Sequence, residues 1–169
     1  MNFQPDYRHI VDAAYNREAA RLPLYEHIVS ADKIGEITGR DFSALYDGSE
    51  ADIREYFHHY CRFFRDYGYD VIPFECCIGQ VLPGGGALGN CRIPPAIRTR
   101  ADFDAYPWED IPALYFKNNS RYFKALAQAL PEGMKAVGGV GNGVFEIVQD
   151  LTGYQNLCYI SADDEELYA

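Results

Sequence analysis

The chain has 169 residues, 48% of them hydrophobic and 15% aromatic, which suits one domain (1–169) with a full core and excludes a disordered chain. Its net charge of -10 argues against nucleic acids, which need a basic face, and against anionic membrane surfaces. Five cysteines, at 61, 76, 77, 91 and 158, are odd in number and lack a CxxC spacing, so they read as reduced thiols of a cytoplasmic protein. No apolar run approaches the ~20 residues of a membrane span, and Met1-Asn2-Phe3-Gln4 opens no signal segment.

In chain order, the spacing of Ile10, Val11 and Ala14 predicts an amphipathic helix over 6–20. Arg21 to Val29 reads as a short strand with Pro23 near its start. Ser49, followed by Glu50 and Asp52, caps a helix in which Ile53, Tyr56, Phe57, Tyr60, Phe63 and Phe64 recur at helical spacing. Gly68 stops that helix, and Tyr69 to Glu75 is a buried strand. Residues 78–98 are loop-rich. A short helix follows over 99–108, and Pro112 opens a long one reaching about Leu130. Met134 to Val140 is a third strand and Gly143 to Thr152 the helix after it. Ser161, with Asp163 to Glu166 behind it, reads as the cap of a further helix that is too short to stand alone, as in the front part of a larger fold.

Alternating strands and helices mean an α/β fold with parallel strands and helical crossovers. Three parallel strands leave faces and edges uncovered. A (β/α)8 TIM barrel closes on itself over ~250 residues. The expectation is the N-terminal portion of such a barrel, about three β-α units, rather than a complete small doubly wound domain.

Sites in parallel α/β folds lie at the C-terminal ends of strands. Those ends carry His27, then Glu75 with Cys76 and Cys77, then Gly139-Val140-Gly141-Asn142. A carboxylate ending an apolar strand is costly unless it is paired or faces a cavity. Glu75 therefore either stabilises charge and moves protons or forms a salt bridge or cap. His27 is an acid, base or ligand, or a structural histidine. Cys76 and Cys77 read as an inert buried pair rather than metal ligands, and adjacent His58 and His59 diverge too far on a helix to share one metal. The Gly139 to Val144 turn imitates a dinucleotide fingerprint, but Val144 stands where glycine or alanine is needed. The following helix N-terminus still offers N–H groups to an anion such as a carboxylate.

Several segments, in order along nearly the whole chain, carry a family likeness: Arg21-Leu22-Pro23-Leu24, Tyr69 to Glu75, the Pro83 to Gly89 loop, Thr99 to Trp108, Gly138 to Glu146, and Gly153-Tyr154-Gln155-Asn156-Leu157. The chain resembles the uroporphyrinogen decarboxylase superfamily, which includes the decarboxylases of porphyrin and haem biosynthesis and the corrinoid-linked methyltransferases. The resemblance implies a barrel with a deep cleft at the strand C-termini. In the decarboxylases, an aspartate ending the second strand steadies a protonated pyrrole, and Glu75 stands at the matching place with a longer arm. Those enzymes also place arginines after the first strand for substrate carboxylates. Here Tyr25 to Ser30 contains none. The related methyltransferases hold zinc through histidine and cysteine in the barrel's second half, so no metal or other cofactor is expected among these residues.

What the resemblance implies is methyl transfer linked to a corrinoid protein, on a small-molecule substrate. Glu75 would supply charge or handle a proton. His27 would hydrogen-bond substrate, Asn142 would orient it, and Gly139 and Gly141 would offer backbone. Uroporphyrinogen decarboxylation is the alternative lyase chemistry. A non-catalytic half-barrel, self-associating through its exposed strand edges, is the alternative of another class.

Overall fold

The computed structural model describes residues 3–168. The fold is mixed α/β, 55% helical, with a parallel sheet of two strands. The chain divides into two compact units that interleave in sequence, Met1–Phe74 with Ser120–Gly138, and Glu75–Asn119 with Gly139–Ala169.

The first unit contains α1 (Arg8–Ala14), α2 (Ala31–Thr38) and α3 (Glu50–Asp66), most of strands β1 (Val71–Glu75) and β2 (Lys135–Gly139), and the C-terminal part of a helix that starts in the second unit. Helix α3 forms where its pattern predicts. The Ser49 hydroxyl accepts from the Asp52 N–H, and the Asp52 carboxylate accepts from the Ser49 N–H at 2.7 Å, a reciprocal cap. Gly68 follows in the left-handed region, at φ 89°, a backbone that favours glycine. The apolar stripe of α3 buries Phe57 and Phe64 completely, and each contributes about 1.5–3 kcal/mol on burial. Phe57 meets Phe74 of β1 edge-to-face at 4.8 Å, and Phe74 meets Phe123 at 5.6 Å. The Tyr60 hydroxyl donates to the Pro73 carbonyl at 2.8 Å.

Residues Arg21 to Val29 are not a strand, and the helix expected over 6–20 covers only Arg8–Ala14. Leu22 is 85% exposed and Ile28 67%, so their apolar alternation has no layer to pack against. What holds this segment is electrostatic. Arg21 grips the fully buried Asp70 with both guanidinium nitrogens, Nη1 at 2.7 Å from Oδ2, and Asp70 also accepts the Asp6 N–H at 2.7 Å. With that strand gone, β1 and β2 are the only sheet among the described residues. β1 is buried from Val71 to Phe74, whereas β2 is largely exposed.

The second unit contains α4 (Arg100–Ala105), the start of α5 (Ile111–Ala129), α6 (Val144–Thr152), α7 (Tyr154–Asp163) and α8 (Glu165–Tyr168). Thr99 caps α4 reciprocally with Asp102, and Pro112 sits in the first turn of α5, where no helical acceptor awaits its missing N–H. Leu82, Ile97, Ile111 and Leu151 form the core. The loop over 78–97 is pinned by backbone bonds, Ile78 N–H to Val140 O at 2.7 Å and Ile97 N–H to Leu151 O at 3.0 Å. Ser161 does not cap a terminal helix. It lies inside α7, its hydroxyl donating to Cys158 O at 2.8 Å, and Asp164 caps α8 by accepting the Leu167 N–H at 3.1 Å. The continuous run from Tyr154 lets α7 pass through the serine because Leu157 and Ile160 are buried on one face.

Candidate functional site

The parallel pairing of β1 and β2 puts their C-terminal ends side by side. Glu75, at the end of β1, is half-buried, and a side-chain carbon at Gly139 would stand 4.0 Å from its Oε1. Cys76 is buried, and its carbonyl accepts the Tyr115 hydroxyl of α5 at 3.0 Å. Cys77 follows. Gly141 passes so close beneath it that a Cβ there would lie 2.5 Å from Sγ. Gly141 has φ 57° and Asn142 φ 48°, two consecutive left-handed residues that turn the chain from β2 into α6. A non-glycine residue held there stores strain, and such strain clusters at ligand sites. The Asn142 side-chain oxygen accepts the Gly79 N–H at 3.2 Å, which fixes the amide against the loop after β1.

At the start of α6 one N–H, that of the cap residue Gly143, is taken by a side chain. The Glu146 carboxylate accepts it at 2.5 Å. Glu75, at the end of β1, and Glu146, on α6, both act on the Cys77 thiol through their charge. Burial pushes the Cys77 pKa up, and the negative charges of Glu75 and Glu146 add to the effect. Cys77 is therefore held as a thiol, a weak nucleophile and a poor soft-metal ligand. Burial also raises the Tyr115 pKa, with Cys76, Cys77 and Glu75 adding to it. Among the described residues no three His, Cys, Asp or Glu side chains gather into a group that could hold a metal ion.

Of the expected site residues, Glu75, Gly139, Gly141 and Asn142 belong to the second unit and lie on the two strand ends. His27 belongs to the first, in the exposed stretch that is not a strand, with the Tyr25 hydroxyl 3.3 Å from Nδ1. The reason for placing it at a strand end is therefore gone. His58 and His59 stay on α3, where His59 Nε2 lies 3.6 Å from Glu55.

Sequence reasoning missed Asp150. This carboxylate is 8% exposed on α6; Oδ1 accepts the Leu88 N–H at 3.3 Å and its backbone carbonyl the Ala87 N–H at 3.1 Å. A Cβ at Gly85 would come within 2.6 Å of Asp150 Oδ2, so Gly85 is small because a buried acid lies against it. The available signal was an acid sharing a helix face with Ile147 and Leu151. Asp150 holds the glycine loop to α6, close to the turn that carries Asn142.

Thiol reactivity follows burial. Cys61 on α3 is buried and its pKa is pushed up to about 12, while Cys91 and Cys158 are exposed. Iodoacetamide at pH 8 is expected to modify Cys91 and Cys158 in the folded protein and to spare Cys61, read by peptide mass mapping. Labelling of Cys61 as fast as Cys158 would contradict the core. The same burial predicts alkaline weakening. The folded pKa lies above the ordinary 9.0, so the stabilisation is complete below pH 9 and fades as pH rises from 9 toward about 12.

No helix among the described residues is long and apolar enough to cross a membrane. In comparison with known proteins, the chain matches no family model, no curated protein and no solved structure.

Proposed function

We propose that the chain carries the N-terminal strand–helix units of a uroporphyrinogen-decarboxylase-type (β/α)8 barrel, with methyl transfer to or from a corrinoid as its chemistry. The observation that supports this reading best is the pairing of the β1 and β2 ends. It brings Glu75 beside the Gly139 to Asn142 turn, at the edge of the sheet where parallel α/β folds keep their sites. Glu75 is the proton-handling group or the charge that steadies a cationic intermediate. Asn142, fixed by Gly79, orients substrate.

The charge pattern favours methyl transfer over porphyrinogen decarboxylation. Residues 75–91 and 139–169, which follow the two strands, contain no Lys, Arg or His. A polycarboxylate substrate would find no cation there to pair with. A methyl group carried on a corrinoid or a small acceptor makes no such demand.

The protein is expected to demethylate methylcobalamin in the presence of a thiol acceptor, followed by the cobalamin absorbance. Glu75→Gln should slow this about 100-fold, in the range of lost general acid–base catalysis, with the circular dichroism unchanged. Full activity in that variant would remove Glu75 from the chemistry. Turnover of uroporphyrinogen with release of carbon dioxide, and none with the corrinoid, would replace methyl transfer by decarboxylation.

A further inference from the structure

The second unit holds a cavity of about 890 Å³ formed by α4, α6, α7 and α8. Small-molecule sites span roughly 300–1,000 Å³ and are mostly apolar with a few placed polar groups. Phe103, Trp108, Phe145 and Tyr168 supply aromatic wall, and Leu151 and Ile160 aliphatic floor. Trp108 packs on Phe103 at 5.1 Å and on Tyr106 at 4.5 Å, and its indole N–H donates to Phe103 O at 2.9 Å. The indole donor is thereby used internally, and what remains for a ligand is ring surface.

Carboxylates outnumber basic side chains in the segments that form this wall. Residues 139–169, which form three of the four helices, hold six carboxylates and no basic side chain. Glu166 lines the cavity. Arg100 lines it too, but its Nε donates to Asp104 Oδ1 at 2.8 Å. Its pKa is raised first by that bond and by the charge of Asp104, and further by the charges of Glu166 and Asp164.

We propose that this cavity binds a hydrophobic organic cation, a quaternary ammonium or an N-alkylated aromatic ring. Aromatic faces attract such a charge through their quadrupole, and acidic surroundings attract it at longer range. A carboxylate or phosphate ligand would meet repulsion from the same acids. A neutral apolar ligand would gain nothing from them. The inference does not rest on Glu75 or on methyl transfer.

Trp108 is the one tryptophan of the chain, so its emission reports this cavity alone. The test titrates the folded protein with benzyltrimethylammonium, its neutral isostere neopentylbenzene and the anion phenylmethanesulfonate. The cation is expected to change Trp108 emission saturably and to bind about 10-fold tighter than the neutral isostere, as a desolvated cation–π contact allows. The anion should bind most weakly. Glu166→Gln should weaken the cation by about 2- to 5-fold, the size of an exposed charge interaction, and leave the neutral probe unchanged. Trp108→Leu, followed by calorimetry, should weaken the cation by about 10-fold. If Trp108→Leu loses its fold by circular dichroism, Glu166→Gln and the three-probe order decide. Equal binding of cation and neutral isostere, or no saturable change with any probe, overturns the proposal.

Discussion

Arg21→Ala is expected to destabilise the first unit more than Asp70→Ala, even though both variants delete the same ion pair. The reason is the unequal burial of the two partners. Asp70 is fully buried, whereas the Arg21 side chain keeps 35% of its surface in water. Removing Arg21 leaves a carboxylate in the core with the Asp6 N–H as its remaining hydrogen bond. Breaking a buried pair in that way costs about 3–5 kcal/mol, and the partial exposure of Arg21 places the expectation at the lower end. Removing Asp70 leaves a guanidinium that can turn outward. Its loss should be smaller by about 1 kcal/mol or more, on the order of one charged hydrogen bond. Urea titration of the two variants, with equal m-values, checks the order. The reverse order would mean that Asp70 is satisfied without Arg21. The surface pair Arg100–Asp104, with both side chains more than half exposed, serves as the contrast, and its removal should leave the urea midpoint almost unchanged.

The elements that were legible in the sequence are those whose signals are local. Ser49 announces α3 because a cap and its return acid lie three residues apart. The stripe of α3 and the glycine after it are equally local. The Arg21 to Val29 segment was not legible, because its alternation of Leu22, Leu24 and Ile28 mimics a strand while its anchor, Asp70, lies 49 residues away from Arg21. Ser161 misled for a related reason. A serine before acids is a good cap, but the burial of Leu157 and Ile160 carries the helix through it. In the candidate site, Glu75 and Asn142 could be found from their place at strand ends. For Asp150 the spacing from Ile147 and Leu151 signals a buried place on α6, but its partner does not show, since the loop over 84–88 folding back across α6 is a long-range contact that no periodicity encodes.

Two adjacent glycines of β2 are expected to answer the same substitution in opposite ways. At Gly138 a Cβ would lie 2.0 Å from the Phe74 carbonyl oxygen and 3.1 Å from its carbon. Those are backbone atoms of the neighbouring strand and cannot rotate aside. Gly138→Ala must therefore push β1 and β2 apart, with a cost at or above the ~3 kcal/mol that marks the upper range of overpacking. At Gly139 the nearest atoms are Gly141 N at 3.9 Å and Glu75 Oε1 at 4.0 Å, ordinary contact distances, and its φ lies outside the left-handed region. Gly139→Ala should be neutral or stabilising by about 0.4–1 kcal/mol, because alanine narrows the unfolded ensemble. Thermal melts of both variants read the difference directly, and equal melting points would mean that the strands are not packed at this separation. The pair also separates stability from chemistry. Alanine at 139 places a methyl group against the Glu75 carboxylate without moving the sheet, so a fall in turnover with an unchanged melt would locate the effect at the strand ends. A fall that merely tracks the melt, as expected for Gly138→Ala, would not.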